Sequence, residues 1–197
     1  DGAGSVVGSA GDVNGDGADD LVIGCNGADD GGANAGIAAV FFAPLPAGVV
    51  ELRDAEVVIS GEVVDQYAGD YAVGLGDTDG DGLGDLAISG EMSLSGRSWV
   101  FSGPLVSGGV SSARTSFFGE AQDDLAGASL AGAGDADGDG RADLLIGAYG
   151  VNTSLVDAGA AYLVFGPFEA GSQSLAGHAR FTGEADGDAA GRNVAGG

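Results

Sequence analysis

Hydrophobic residues in this chain occur in short runs bounded by glycine and other turn residues. The clearest runs are residues 21–24, 86–89 and 144–147, followed by the more aromatic runs 37–42, 98–101 and 160–165. Short apolar runs between turn residues predict β-strands, and no segment repeats its apolar positions at helical spacing. The pattern therefore predicts an all-β protein.

The runs belong to a larger internal repeat with four parts. A stretch of small residues comes first, an acidic loop with an apolar strand second, an aromatic strand that stops at a proline third, and a segment ending in Gly-Glu fourth. The prolines are Pro44, Pro104 and Pro167, and the Gly-Glu segments end at Glu62, Glu120 and Glu184. Four short strands per unit predict β-propeller blades of four antiparallel strands, each packed on its neighbours.

The repeat also predicts the domain organisation. We place blade 1 at about 1–62, blade 2 at about 63–120, blade 3 at about 121–184 and the first strand of a fourth blade at 185–197. Propellers close with typically 4–8 blades, so three units cannot close a ring. We expect part of a longer propeller; self-association of several copies to complete a ring is the alternative. An open arc is disfavoured because it would expose apolar blade faces.

Each unit carries one acidic loop, with the sequence DVNGDGADD at 12–20, DTDGDGLGD at 77–85 and DADGDGRAD at 135–143. We call these loops 1, 2 and 3 and number their positions 1 to 9. Side-chain oxygens at positions 1, 3, 5 and 9, with a backbone carbonyl at position 7, suit calcium, which takes 6–8 oxygen ligands at flexible angles. The predicted ligands are Asp12, Asn14, Asp16, Ala18 and Asp20 in loop 1, Asp77, Asp79, Asp81, Leu83 and Asp85 in loop 2, and Asp135, Asp137, Asp139, Arg141 and Asp143 in loop 3.

The residues after each loop exclude an EF-hand. An EF-hand needs a bidentate glutamate at position 12 and a helix on each side. Position 12 is Ile23, Ile88 or Ile146, and the flanking runs predict strands. We therefore expect three structural Ca²⁺ sites, in which the ion neutralises crowded carboxylates and fixes the hairpin between two strands. Loop 1 should bind slightly more weakly because Asn14 is a neutral ligand.

The loops and the segments beside them resemble the FG-GAP repeat, the unit of the integrin alpha-subunit head propeller and of many bacterial surface proteins. The DxDGDGxxD loop matches well. Gly24-Cys25, Ser89-Gly90 and Gly147-Ala-Tyr149 stand where the family usually has Gly-Ala-Pro, and Ala-Gly replaces its leading Phe-Gly. The resemblance covers essentially the whole chain. It implies a seven-bladed ring, bound calcium and an adhesion or ligand-binding module, in which loops on one propeller face bind an extracellular protein or glycan.

Charge and composition narrow the possible functions. The formal net charge of −24 argues against nucleic acid, whose binding depends on cationic contacts to phosphate, and against anionic membrane surfaces. The apolar runs are too short for membrane insertion. We therefore expect an extracellular or cell-surface location, with secretion into a calcium-rich environment.

We predict that the protein is not an enzyme. The chain has one histidine, His178, and one cysteine, Cys25, so the sequence offers no zinc site and no sign of a catalytic triad. Two other functions stay open as alternatives. One is the propeller of a secreted enzyme that acts on polysaccharide or phospholipid, and the other is a self-assembling structural repeat protein.

Overall fold

The computed structural model describes residues 2–90 and 95–196. Asp1, residues 91–94 and Gly197, which the predicted blade ranges include, lie outside the described residues. The described part is built from strands, with two short 3-10 helices at Leu52–Asp54 and Val110–Ser112, and none of its helices is long and apolar enough to cross a membrane. The strands are β1 (Ala3–Gly11), β2 (Asp20–Cys25), β3 (Ile37–Phe41), β4 (Val57–Ser60), β5 (Ala72–Gly76), β6 (Asp85–Gly90), β7 (Arg97–Phe101), β8 (Gly108–Gly109), β9 (Thr115–Phe118), β10 (Ser129–Gly134), β11 (Asp143–Ala148), β12 (Ala160–Val164), β13 (Gly171–Ser174) and β14 (Ala179–Thr182). The all-β prediction is confirmed.

The strands form three sheets, one for each predicted unit. The antiparallel orders are β1-β2-β3-β4, β5-β6-β7-β9 and β10-β11-β12-β14. This arrangement matches propeller blades of four antiparallel strands, as predicted. The seven-bladed ring stays a prediction.

The two remaining strands link neighbouring blades. β8 pairs in parallel with β4, the outermost strand of the blade before it, and β13 pairs in parallel with β9 in the same way. The connection between the third and fourth strands of one blade thus extends the sheet of the preceding blade. The sequence repeat did not predict that a strand of one blade joins the sheet of the preceding blade.

Apolar faces of adjacent blades pack directly against each other. Val40 and Ile59 of the first blade share a buried cluster with Ile88 and Trp99 of the second. A second cluster joins the opposite face of blade 2 to blade 3, where Tyr162 is fully buried. Blade 2 is therefore covered on both faces, which a single four-stranded sheet cannot achieve alone.

Small residues allow the innermost strands to approach closely. β1 contacts β5, and β5 contacts β10. A Cβ atom added to Gly74 in β5 would lie 2.4 Å from the carbonyl carbon of Ala10 in β1. Part of the high glycine content is therefore a packing requirement between blades.

Residues 185–196, where the first strand of a fourth blade is predicted, contain no assigned strand. Ala190 forms an isolated parallel bridge with Gly159, as Ala68 does with Gly36 at the start of blade 2. Gly196 then lies against the backbone of Gly132 in β10, much as Gly74 in β5 lies against the backbone of β1. The segment follows the path of a first strand, but a β-ladder needs a hydrogen-bonded neighbour, and none of the described strands pairs with it.

We predict that Gly74→Ala lowers the free energy of unfolding by about 1–3 kcal/mol, because its Cβ would overlap the backbone of the neighbouring blade. Gly8→Ala is the matched control in β1, since its Cβ would meet no atom nearer than 3.8 Å. We expect that control to change stability by at most about 0.5 kcal/mol. Urea unfolding of both variants checks the prediction, and equal stabilities would contradict close packing at the inner strands.

Candidate metal centres

The aspartate at position 9 of each loop is buried and accepts two backbone hydrogen bonds. Asp20, Asp85 and Asp143 are the first residues of β2, β6 and β11, with exposed fractions of 2%, 0% and 0%. Their Oδ2 atoms accept the amide of position 2, from Val13 at 3.1 Å, Thr78 at 2.9 Å and Ala136 at 2.7 Å. Their Oδ1 atoms accept the amide of the residue before each proline, from Ala43 at 2.9 Å, Gly103 at 3.0 Å and Gly166 at 2.9 Å. Each carboxylate therefore ties the loop to the turn that follows the third strand.

A glycine in the left-handed region starts each loop. Gly11, Gly76 and Gly134 have φ values of 75°, 84° and 66°, and the register of the first strand shifts at each of them. Such a shift is a β-bulge, which bends the strand and redirects the chain. The bulge turns the chain out of the first strand, and the loop then connects that strand to the second.

The aspartate at position 1 organises the loop around its own carboxylate. In loop 2, Asp77 accepts the amides of Gly80 at 2.6 Å and Gly82 at 2.9 Å, and the first aspartates of loops 1 and 3 accept the amides at the same two positions. Burial acts to raise the pKa of Asp77, but the backbone hydrogen bonds from Gly82, Gly80 and their neighbours outweigh it and lower the pKa. The loop therefore stabilises the charged form of this carboxylate.

In each loop, the backbone amide of position 7 donates a hydrogen bond to the carboxylate of position 5. The Oδ1 atoms of Asp16, Asp81 and Asp139 accept the amides of Ala18 at 2.9 Å, Leu83 at 2.8 Å and Arg141 at 2.8 Å. The predicted role of the three position-7 carbonyls as ligands stays a prediction.

Carboxylates from positions 1, 3 and 9 converge in loops 2 and 3. One oxygen of each of Asp77, Asp79 and Asp85 lies within 4.8 Å of the others, and Asp135, Asp137 and Asp143 form the same group. Position 5 is not part of either group. Loop 1 has the amide of Asn14 at position 3, and its Oδ1 accepts the Asp16 amide at 2.8 Å. The structure thus gathers three of the four predicted carboxylate ligands in each of loops 2 and 3.

Loop 2 contains a buried carboxylate oxygen that has no hydrogen-bond partner in the described structure. Asp79 Oδ1 is buried without a hydrogen-bond partner in the described structure, whereas Oδ2 accepts from Ser102 Oγ at 3.0 Å and Arg114 Nη1 at 3.1 Å. A buried carboxylate oxygen without a partner costs free energy. Because two further carboxylates lie beside it, a bound cation would satisfy this oxygen, and the donor set is the oxygen-rich one that calcium prefers.

The electrostatics of Asp85 also favour a cation. Burial raises the pKa of the Asp85 carboxyl above its usual range, against the lowering effect of hydrogen bonds from Thr78 and Gly103, and the charge of Asp79 adds to the increase. The protein environment therefore disfavours two negative charges here. A divalent cation between them would reverse that effect.

Ser102 and Arg114 are contacts of the site that sequence reasoning missed. Ser102 follows β7 and Arg114 precedes β9, so both lie far from loop 2 in sequence. The position of Arg114 is occupied by Glu56 in blade 1 and His178 in blade 3, so the repeat offers no signal for this contact.

The comparison with protein families confirms the repeat in blade 3. A model of the FG-GAP repeat matches residues 126–164, which include loop 3 and the strands on both sides of it. FG-GAP repeats form integrin-like β-propeller folds, so the chain contains an integrin-like propeller repeat. A search of the curated proteins found no match.

We predict that Asp143→Asn lowers the free energy of unfolding by about 1–3 kcal/mol in the presence of a chelator, because an NH₂ group would face a backbone amide that now donates to the carboxylate. Asp137→Asn is the matched control, since Asn14 already fills that position in loop 1 and accepts the same amide. We expect the control to leave stability in chelator nearly unchanged. Equal losses in both variants under urea unfolding would show that position 9 has no separate structural role.

Proposed function

We propose that this protein is a calcium-stabilised, integrin-like propeller module that works outside the cell in adhesion or ligand binding. The assignment to an integrin-like propeller module rests on the FG-GAP match and on the three sheets of four antiparallel strands. The observation that carries the calcium proposal is the buried, unpartnered Oδ1 of Asp79 beside Asp77 and Asp85.

In this proposal calcium acts on stability and not on chemistry. When bound, the ion would supply positive charge to carboxylates that repel one another. Side-chain oxygens at positions 1, 3, 5 and 9 would bind the ion, together with the backbone carbonyl of position 7. Because the loop connects the first two strands of a blade, metal binding then contributes to folding free energy.

The extracellular location follows from the calcium requirement. Sites of this kind are filled most readily where calcium is abundant, and FG-GAP repeats are typical of extracellular proteins. The ligand would be an extracellular protein or glycan held by loops on one propeller face. The chain's excess of negative charge favours partners that are neutral or basic.

A non-enzymatic role fits the surroundings of the single histidine. Burial lowers the pKa of His178, and its ring lies 6.0 Å from the ring of Phe117 in an edge-to-face contact. The described residues give His178 no carboxylate partner of the kind that a catalytic histidine needs. We therefore propose a packing role for this side chain.

We predict that calcium raises the melting temperature and that magnesium does so much less. Saturation at a hundred times the dissociation constant stabilises the folded state by about 2.7 kcal/mol per site. Thermal unfolding in calcium, in magnesium and in chelator measures the effect. Asp79→Asn should reduce the calcium-induced shift, because it removes one of the converging charges.

The matched control for this experiment is Asp19→Asn at position 8 of loop 1. Asp19 is exposed and is not among the predicted ligands. Asp19→Asn removes one negative charge from a loop, as Asp79→Asn does. Comparison of the two variants therefore separates the loss of a ligand from a general change in net charge. A calcium effect that both variants reduce equally would contradict specific coordination in loop 2.

We also predict that ligand binding depends on calcium. The protein is incubated with arrays of glycans and extracellular matrix proteins in calcium and in chelator. Binding that is lost in chelator and restored by added calcium supports the proposal. Hydrolysis of a polysaccharide or phospholipid by the purified protein would contradict it and favour the enzyme alternative.

A further inference from the structure

We propose that the three acidic loops bind calcium cooperatively, because backbone hydrogen bonds join each loop to the loop before it. The peptide group between positions 7 and 8 of one loop carries the coupling to position 1 of the preceding loop. This coupling rests on the calcium role proposed above, and it concerns how the sites affect one another rather than whether each site binds an ion.

The same hydrogen bond joins both pairs of adjacent loops. The amide of Gly84, at position 8 of loop 2, donates to the carbonyl oxygen of Asp12, at position 1 of loop 1, at 2.8 Å. The amide of Ala142, at position 8 of loop 3, donates to the carbonyl oxygen of Asp77, at position 1 of loop 2, at 2.9 Å. Among the described residues, no hydrogen bond joins loop 3 to loop 1. The loops therefore form one chain in the order 1, 2, 3.

A side-chain contact accompanies each of these hydrogen bonds. Leu83, at position 7 of loop 2, covers Gly15 at position 4 of loop 1, where an added Cβ would lie 2.8 Å from Leu83 Cδ2. Arg141, at position 7 of loop 3, lies beside Gly80 at position 4 of loop 2, where an added Cβ would lie 3.5 Å from Arg141 Nε. Position 7 therefore contacts the preceding loop in both pairs, although the two side chains differ.

The linking amides are less exposed to solvent than the amides within a loop. Gly84 is buried and Ala142 is half-buried, whereas Gly80 and Gly82 are exposed. A hydrogen bond that is sheltered from water is electrostatically stronger than one in water. The link between two loops is therefore suited to transmit order from one loop to the next.

Both ends of a link belong to predicted ligand residues. The N–H of Gly84 is in the same peptide group as the carbonyl of Leu83, the predicted position-7 ligand of loop 2. Asp12 accepts the link through its carbonyl and organises loop 1 through its carboxylate, which accepts the amides of Gly15 at 2.7 Å and Gly17 at 2.9 Å. A peptide group polarised at its oxygen becomes a stronger donor at its N–H. A cation on the carbonyl of loop 2 would therefore strengthen the hydrogen bond that positions Asp12.

The coupling acts in both directions. If calcium in loop 2 raises the affinity of loop 1, calcium in loop 1 raises the affinity of loop 2 by the same factor. A gain equal to one typical hydrogen bond corresponds to about fivefold in affinity. Loop 2 takes part in both links, because Gly84 donates to loop 1 and Asp77 accepts from loop 3. We therefore expect loop 2 to be the most strongly coupled site.

Electrostatic repulsion between sites acts in the opposite direction. An ion in one loop makes the potential at the neighbouring loop less negative, and this lowers the attraction for a second ion. Salt weakens this effect, since the Debye length is about 8 Å at 0.15 M ionic strength and shorter above it. The hydrogen bonds between the loops depend much less on salt. Cooperativity that arises from these bonds should therefore persist or increase as the salt concentration is raised.

A calcium titration that resolves the three loops tests the coupling. The NMR signals of the amides of Gly17, Gly82 and Gly140 report on their own loops, because each amide donates to the position-1 carboxylate of its loop. We expect the three loops to fill over one range of calcium concentration with a Hill coefficient above 1, in 0.15 M and in 0.5 M salt. Loops that fill independently would overturn the coupling and leave the calcium role intact. Failure of all three loops to bind calcium would overturn the calcium role and the coupling with it.

Removal of ligands from loop 3 measures the coupling to its neighbour. Asp137→Asn combined with Asp139→Asn removes two charged ligands and keeps the oxygens that accept the amides of Asp139 and Arg141. We expect the calcium affinity of loop 2 to fall about fivefold. The affinity of loop 1, which has no direct link to loop 3, should change less. Equal losses in loops 1 and 2 would overturn coupling through adjacent loops.

An ester in place of one amide separates the hydrogen bond from the effect of charge. Lactic acid in place of Ala142 removes the N–H that donates to Asp77 and changes no charge. In this protein the two loop 3 substitutions should leave the calcium affinity of loop 2 nearly unchanged. Lactic acid in place of Ala136 is the matched control, because that amide donates to Asp143 within loop 3, and the fivefold loss should remain.

The contrary outcome is a fivefold loss that persists without the Ala142 N–H. It would assign the coupling to charge and overturn the hydrogen-bonded link. Thermal unfolding of each variant in chelator shows that the fold is intact. The titration of the unmodified chain tests the coupling even if an ester variant does not fold.

Discussion

Each blade depends on one buried carboxylate, the aspartate at position 9 of its acidic loop. Asp85 accepts the amides of Thr78 and Gly103 and so ties loop 2 to the turn that follows β7. A buried charge is stable only when its hydrogen-bonding capacity is used, and these amides use both oxygens. The same carboxylate lies within 4.8 Å of its neighbours at positions 1 and 3. The residue that shapes the blade therefore also forms one wall of the proposed metal site, which links metal binding to folding.

The blades hold together through exchanged strands and through close approach of their inner edges. β8 and β13 each extend the sheet of the preceding blade, so the hydrogen-bond network continues across both junctions. At the inner edge, Gly74 brings β5 into backbone contact with β1. These contacts couple the folding of adjacent blades, because blades 2 and 3 each supply a strand to the sheet of the preceding blade.

Sequence reasoning predicted the features that repeat and missed those that do not. The loops and the four-stranded units followed from the spacing of aspartates and apolar runs. So did the convergence of positions 1, 3 and 9 in loops 2 and 3, whereas position 5, which was also predicted as a ligand, lies outside both groups. The structural role of Asp20, Asp85 and Asp143 did not, because their second amide partner comes from the end of the third strand, 18 to 23 residues away. β8 and β13 carry no apolar alternation to reveal them. Arg114 reaches Asp79 across 35 residues and has no counterpart in the other blades.

The central claim is that the position-9 carboxylate stabilises the blade and that bound metal stabilises the acidic loop. Hydrogen exchange of single backbone amides, measured in calcium and in chelator, tests this claim most directly. We expect the amides of Thr78 and Gly103, which donate to Asp85, to be protected under both conditions. The amides of Gly80 and Gly82 donate to the carboxylate of Asp77 within the loop. They should gain protection in calcium and lose it in chelator. Rapid exchange of the Asp85-bonded amides in chelator, or identical exchange of Gly80 and Gly82 in both conditions, would contradict the account.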